Sequence, residues 1–294
     1  MKLSVLLPSY RYDCRPLVRA LLPMLPAESE ILVGDDHSAT PESDAYLTEM
    51  EGWTGVRVLR KKRNEGSAAM RNTLAREARG EYLLYLDCDG MPLSPDFLSV
   101  YLSMLPTDDI LCGSVRNAEV LPSPDVRLRW TYERQAERRF TAERRNRRPY
   151  QNFRTFNFLV PRSIMLRCPF DETVRLSGYE DTLAGRSLCE AGIRIRHIEN
   201  PLLNVGLEAN ETYLAKVERQ LATLLEKRQL LSGYSTLLGF YERLERFGLS
   251  APLRLFHRLL APAERHNLLS SHPRMWVFQL YKLGTFATLC KGEK

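Results

Sequence analysis

Residues 82–90 read Tyr-Leu-Leu-Tyr-Leu-Asp-Cys-Asp-Gly, and no other stretch limits the fold as strongly. Five apolar or aromatic residues in a row, stopped by a carboxylate, are the pattern of a strand buried on both faces. Side chains alternate across a strand, so Asp87 and Asp89 share a face if extended geometry carries through them. Two carboxylates at the end of a buried strand are costly to desolvate without a cation or hydrogen-bond donors. In open α/β sheets ligands bind at the carboxyl ends of the strands. A hard divalent cation bridging such oxygens to a diphosphate would account for both acids and their position. The same Asp-x-Asp-Gly is also ordinary turn chemistry, so by itself it leaves a metal site and a solvated turn both open.

The stretches before it repeat the design. Leu3-Ser4-Val5-Leu6-Leu7-Pro8 reads as a first buried strand, and Pro16 to Leu25 as a helix with proline in its first turn. Residues 30–38, Glu-Ile-Leu-Val-Gly-Asp-Asp-His-Ser, form a second strand that also ends in paired acids. Val56–Leu59 is a third strand. Asn64-Glu65-Gly66-Ser67 then caps a helix running to about Arg79, with Gly80 placed to end it. Strands alternating with helices predict an α/β domain with a mostly parallel central sheet flanked by helices.

Four pieces stand in order here: Pro8-Ser9-Tyr10; Val33-Gly34-Asp35-Asp36-His37-Ser38; Asn64-Glu65-Gly66 with Arg71-Asn72; and Asp87-Cys88-Asp89. Together they resemble the nucleotide-sugar-binding half of a family 2 glycosyltransferase with the GT-A fold. The resemblance implies that Pro8, Ser9, Tyr10 and Asp36, with Asp35 behind it, hold the base and ribose of a nucleoside diphosphate sugar. It places Asn64, Gly66, Arg71 and Cys88 around the donor, Asp87 near the ribose, and Asp89 on a Mn2+ or Mg2+ ion. Gly90 departs from the pattern, since many relatives carry a third acid there. The residue chemistry agrees: carboxylates accept from base N–H and ribose hydroxyl groups, and an arginine fork suits a phosphate or base edge. Asp35-Asp36 as a helix cap and Arg71 on a solvated helix face are the plainer readings of each residue alone.

Beyond Pro106 the resemblance continues on the acceptor side. Residues 110–116 and 156–161 read as strands, and Phe170-Asp171-Glu172 is followed by Gly178-Tyr179-Glu180-Asp181 before an apolar helix pattern closing at Gly192. Acids at a helix start are stabilised by the backbone dipole whatever else they do. By resemblance, Asp181 is the catalytic base and Glu180 a neighbouring orienting acid. Ile193 to Ile198 is a further strand, and relatives often have a histidine near position 204. Here Asn204 stands there, a weak metal ligand, with His197 seven residues earlier.

Arg127 to Arg148 carries nine arginines against three glutamates, with Trp130, Tyr132 and Phe140 between them. It is expected to be too polar to contribute much core. It could be a salt-bridged solvated helix, or an element that meets diphosphate, acceptor or anionic lipid. Arginine among aromatics also suits nucleic acid, but charge elsewhere is close to balance, and no nucleic-acid partner is expected. From Thr212 to Lys294 the chain reads as helical, in segments 213–231, 234–247, 253–260 and 275–290. The last groups Trp276, Phe278, Tyr281 and Phe286, suited to packing on the catalytic domain or to peripheral membrane contact.

At 294 residues, 44% hydrophobic and 27% charged, the chain can bury a substantial core. The expected division is a GT-A catalytic domain over 1–205, with a donor half 1–105 and an acceptor half 106–205, and a helical extension 206–294. No apolar run reaches the roughly 18 residues of a membrane span, and the N-terminus lacks the marks of a signal peptide. Six cysteines without Cys-x-x-Cys pairs read as reduced thiols of a cytoplasmic protein. No Gly-x-Gly-x-x-Gly follows a strand, against a dinucleotide enzyme. The loop Pro8–Asp13 has no glycine, against a nucleotidyltransferase phosphate loop. The resemblance implies transfer of a sugar, with inversion, from a nucleoside diphosphate sugar, a UDP-sugar first among them. The acceptor would be a hydroxyl of a glycan or lipid-linked glycan in polysaccharide or capsule synthesis. A non-catalytic nucleotide-sugar binder or membrane-surface scaffold, or a nucleotidyltransferase despite that loop, is the alternative.

Overall fold

The computed structural model describes residues 2–173 and 178–291; the last three positions of the expected helical extension lie outside them. An eight-stranded sheet runs in the order β3-β2-β1-β4-β7-β6-β8-β5. Its strands are β1 (Leu3–Ser9), β2 (Glu30–Asp35), β3 (Val56–Arg60), β4 (Tyr82–Leu86), β5 (Gly90–Pro92), β6 (Ile110–Asn117), β7 (Asn157–Pro161) and β8 (Ile195–Asn204). The four strands β3, β2, β1 and β4 are mutually parallel. The sheet then reverses, because β7 pairs antiparallel with both β4 and β6, and β5 with β8.

The unbroken apolar runs follow from burial on both faces. Val5, Leu7, Ile31, Val33, Leu84 and Leu86 enter one core cluster, and their alternates Leu6, Leu32, Leu83 and Tyr85 enter the other. The first cluster is closed by α1 (Arg15–Leu21), α2 (Pro41–Glu51) and α4 (Phe97–Leu102). The second is closed by α3 (Ser67–Glu77), α7 (Arg162–Arg167) and the later part of α8 (Glu180–Glu190). In α8, a Cβ on Gly185 would come within 2.2 Å of the Tyr150 carbonyl oxygen, so this close approach requires glycine.

Several elements differ from expectation. The sequence pattern shows no helix between β2 and β3, yet α2 forms there. Its start is a reciprocal cap between Thr40 and Ser43, with Pro41 in the first turn. Its apolar face is only Tyr46, Leu47 and Met50, too sparse to register as a period. Asn64 does not cap α3; Gly66 stands at the N-cap, and Asn64 Nδ2 donates to the Asp36 carbonyl at 3.2 Å. Gly80 is needed for sheet contact instead, since a Cβ there would meet the Ser4 backbone nitrogen at 2.5 Å. β8 runs straight through Pro201 to Asn204.

By contact, the chain divides into two compact units: Met1–Arg116, Phe140–Arg175 and Ala184–Gly206; and Asn117–Arg139, Leu176–Leu183 and Leu207–Lys294. The first holds the sheet. The second is built on α5 (Arg127–Arg139), α9 (Asn210–Glu226), α10 (Arg228–Leu231), α11 (Thr236–Arg246), α12 (Ser250–Leu269) and α13 (Met275–Leu289). The aromatic residues of α13 pack inside this second unit: Phe278 lies edge-on to Tyr132 at 5.2 Å and Phe286 edge-on to Tyr241 at 5.0 Å. Only Trp276 of that group is exposed.

The arginine-rich stretch is not a solvated face throughout. In α5, Arg129 pairs with Glu133 and Glu208, and Arg134 with Glu137. In α6 (Ala142–Asn146), Arg145 is buried. It donates to the carbonyls of Gly113 and Ile198 at 2.7 and 3.0 Å. Its Nη1 also lies 3.0 Å from His197 Nδ1, while His197 Nε2 lies 2.9 Å from the Pro149 carbonyl. Burial lowers the His197 pKa to about 4. The ring is therefore neutral at pH 7, protonated on Nε2, and accepts from arginine through Nδ1. Arg145→Met should cost about 3 kcal/mol, because two buried carbonyls and a ring nitrogen lose their donor. Urea unfolding at pH 7 measures this; an unchanged midpoint would show that Arg145 is dispensable to the fold.

Candidate active site

The candidate residues of the first unit gather at the carboxyl ends of β1, β2 and β4. Chain order reverses between β1 and β4, because β1 leads outward to β2 on one side while β4 joins on the other. Such a switch point opens a crevice where loops diverge. Across it, the Cys88 thiol donates to the Pro8 carbonyl at 3.2 Å. Neighbouring Cys14 and burial push the Cys88 thiol well up, so it stays protonated.

Asp35 and Asp36 have different tasks. Asp35 accepts from the backbone N–H of Ser38 at 3.0 Å and from the Ser38 hydroxyl. The Ser38 oxygen in turn accepts from the Arg11 N–H at 2.7 Å, joining the loops after β1 and β2. Asp36 accepts at Oδ1 from the Glu65 N–H at 2.9 Å and at Oδ2 from the Gly66 N–H at 2.7 Å. It thus holds the loop leading into α3, and each oxygen keeps a second lone pair for a ligand. Ser9 Oγ donates to the Tyr12 carbonyl at 3.0 Å, and Tyr10 is exposed. Arg11, His37 and Ala39 all have positive φ, at 51°, 64° and 48°. Left-handed backbone at non-glycine residues costs of order 1–3 kcal/mol each, and such strain clusters at ligand sites.

Arg71 is buried beneath this rim. One guanidinium nitrogen donates to Asp87 Oδ1 at 2.7 Å, another to the Ser67 hydroxyl one helical turn earlier, and the plane lies over Phe170 at 5.8 Å. Asn72 beside it fixes Phe170 in place. Its Oδ1 accepts from the Phe170 N–H, and its Nδ2 donates to the Phe170 carbonyl, both at 2.9 Å, and to Glu172 at 2.8 Å. So Arg71-Asn72 in α3 and Phe170-Asp171-Glu172, nearly 100 residues later, form one structural group.

The two acids after β4 do not follow strand alternation. β4 stops at Leu86, and the Gly90 N–H closes a turn on the Asp87 carbonyl at 3.0 Å. In that turn Asp87 goes to Arg71, while the Asp89 carboxylate lies against Gly206. A Cβ on Gly206 would come within 2.4 Å of Asp89 Oδ2. The Asp89 carbonyl accepts from Val205 at 2.8 Å, and Gly90 is in register with Asn204. Sheet pairing therefore brings Asp89 and Asn204, 115 residues apart, to one edge. Gly90 is glycine for a packing reason, since a Cβ would sit 2.2 Å from Leu202 Cδ2. Burial, followed by the Asp89 charge, pushes the Tyr12 phenol up.

A hard cation fits the chemistry of this donor set. Asp89 and the Asn204 side-chain carbonyl are oxygen donors, although that carbonyl already accepts from the Gly206 N–H at 3.1 Å. Among the described residues, no group of three or more His, Cys, Asp or Glu side chains is placed to hold a metal. Any ion at Asp89 would therefore draw on further oxygens, as Mg2+ commonly does from water and substrate phosphates.

Glu180 and Asp181 belong to the second unit and stand in the first turn of α8. The backbone before them is left-handed at Gly178 (φ 117°) and Tyr179 (φ 67°). A Cβ on Gly178 would lie 2.4 Å from Gln220 Cγ, so glycine is required there on two counts. Glu180 folds back to accept from the Gly178 N–H at 2.7 Å, and Asp181 accepts from the Thr182 N–H at 2.8 Å. Glu180 thus braces the turn, and Asp181 follows it at the positive end of the helix dipole.

Ser38, Ser67, Phe170 and Tyr12 were not singled out as site residues. Ser67 had a usable signal in its i−4 spacing from Arg71 on a helix. The contacts of Phe170 and Tyr12 depend on tertiary structure.

The sequence profile described as Glycosyl transferase family 2 matches residues 4–169, more than half of the chain. A Haemophilus influenzae protein described as an uncharacterized glycosyltransferase is 32% identical over 89 residues, 30% of this chain and 29% of that protein. The match thus spans less than a third of that relative. Among solved structures, the mannosyltransferase PcManGT from Pyrobaculum calidifontis, in complex with GDP-Man and Mn2+, superposes with a TM-score of 0.61 at 16% identity. That likeness covers 99% of this chain and 87% of that one. S. aureus TarS 1-349 in complex with UDP-GlcNAc gives 0.54 at 16% identity, covering 100% and 91%. At these identities the structural likeness establishes the GT-A type of fold, and the profile establishes descent: this chain belongs to glycosyltransferase family 2.

Proposed function

We propose that the protein transfers a sugar from a nucleoside diphosphate sugar to an acceptor hydroxyl, with inversion at the anomeric carbon. The observation that carries this is the convergence of Asp36, the buried Arg71–Asp87 pair and Asp89 at the carboxyl ends of β2 and β4, which flank β1. Asp36 and the Pro8-Ser9-Tyr10 turn meet the base and ribose, a uridine first, and Arg71 orients Asp87 toward the ribose. Asp89, with Asn204, would hold Mn2+ or Mg2+. When bound, that ion would supply charge stabilisation for the departing diphosphate. The acceptor oxygen forms its bond to the anomeric carbon as the sugar–phosphate bond breaks, and Asp181 takes the acceptor's proton. Glu180 keeps Asp181 in place by bracing the preceding turn. The acceptor class is a glycan or lipid-linked glycan, met at the cytoplasmic side. Relatives of the same fold solved with UDP-GlcNAc, or with GDP-Man and Mn2+, support the donor and metal class.

The test is a thermal-shift series with UDP- and GDP-sugars, with and without manganese. A donor that binds only the folded protein adds about 2.7 kcal/mol at 100 times its dissociation constant. Stabilisation by a uridine diphosphate sugar that grows with manganese is the expected result. Indifference to every nucleoside diphosphate would remove this reading.

A further inference from the structure

The helix α12 buries His257, Glu264 and Leu268 and leaves a run of large apolar side chains exposed. Its inner face carries the buried pair His257 and Glu264, with Nδ1 and Oε2 2.7 Å apart. That pair is pressed on α13, where a Cβ on Gly284 would meet the His257 ring at 2.4 Å. Its outer face carries Leu255, Phe256, Leu259 and Leu260, all exposed, with Leu259 at 68%. The turn before the helix adds Phe247, 75% exposed, and Leu249. Exposed apolar side chains are ordinary singly, but a contiguous set on one helix marks a surface that something covers.

The charge on this stretch narrows what covers it. Residues 247–263 contain two arginines, Arg254 and Arg258, one turn apart, and no acidic residue. A second copy across a two-fold axis would place this same patch against itself. Its arginines would then meet arginines, with no carboxylate from the stretch to pair them. A bilayer with anionic headgroups offers acyl chains to the leucines and phenylalanines and phosphates to the arginines. Among the described residues, no helix is long and apolar enough to cross a membrane.

We propose that the outer face of α12, with Phe247 and Leu249, lies in the plane of an anionic membrane surface. Leu259 and Phe256 enter the headgroup boundary, and Arg254 and Arg258 engage lipid phosphates. Of the α13 aromatics that sequence offered for packing or membrane contact, Phe278, Tyr281 and Phe286 pack inside the unit and Trp276 is exposed. Joined to the proposed reaction, the surface points to a lipid-linked hydroxyl as acceptor, and that step alone rests on the proposed function.

Flotation of the purified full chain with vesicles tests this, using phosphatidylcholine alone and phosphatidylcholine mixed with phosphatidylglycerol. The protein should float with the mixed vesicles, and release as salt rises. Leu259→Glu should lower vesicle affinity about tenfold or more, from the lost apolar insertion. Arg258→Gln should lower it about fivefold. Leu259→Gln is the uncharged second variant, and matched circular-dichroism melts establish that each is folded. Failure of the wild type to bind mixed vesicles, or binding unchanged by both Leu259 variants, would overturn the proposal. So would a wild-type dimer in light scattering that Leu259→Glu dissolves, which would assign the face to a second copy. Flotation uses no donor or acceptor, so its failure leaves the proposed reaction untouched.

Discussion

Replacing Asp181 with asparagine is expected to lower sugar transfer about 100-fold or more, the size of a lost general base, with donor affinity nearly unchanged. Asparagine keeps the side-chain oxygen that accepts from the Thr182 N–H, so the start of α8 should keep its geometry. Losing a negative charge from the first turn costs only about 0.3–1 kcal/mol of stability. Glu180 is a different case, because its carboxylate closes the turn on Gly178, and its loss should disturb the backbone that presents Asp181. The check is calorimetric donor affinity beside transfer rate on the same purified variant. A parallel fall in both would make Asp181 a binding or folding residue. No fall in either would move the base elsewhere.

Asp89→Asn is expected to lower transfer by about 100-fold, on the scale of one lost charge-stabilising contact at a reacting centre. It should also weaken binding of the nucleoside diphosphate and blunt its response to manganese. The fold should survive, because the hydrogen bond from Val205 goes to the Asp89 backbone carbonyl and asparagine matches the aspartate in size against Gly206. Melting curves of the two proteins without ligand should therefore agree within a few degrees. The metal dependence itself is tested on the wild type: turnover in excess chelator equal to that with added manganese would overturn it. Asp87→Asn makes a useful contrast, since it weakens the clamp on the buried Arg71.

The α/β core was legible because its cause is local. Strands buried on both faces must be apolar without interruption, and residues 3–8, 30–35 and 82–86 meet that condition in their own composition. Acids that end such runs stand out for the same reason, since burying a carboxylate without partners is costly. The acids opening α8 and the glycine before them were legible from helix-start chemistry and the family pattern. By contrast α2 was missed, since three apolar residues on one turn-to-turn stripe leave little periodic signal.

Sequence by itself determined the layered α/β architecture, the strand ends that carry acids, and the family. Tertiary structure decided which partner each acid meets. Alternation predicted a common face for Asp87 and Asp89, but the turn closed by Gly90 sends one to Arg71 and the other to Gly206. It also decided that Arg145, one arginine among nine in its stretch, is buried on His197 and two carbonyls. And it turned the leucines of α12 outward while drawing His257 and Glu264 in. The physical reason is the same in each case. Hydrogen-bond partners and burial are set by elements that meet only when the chain folds, whereas strand and helix patterns are written into neighbouring residues.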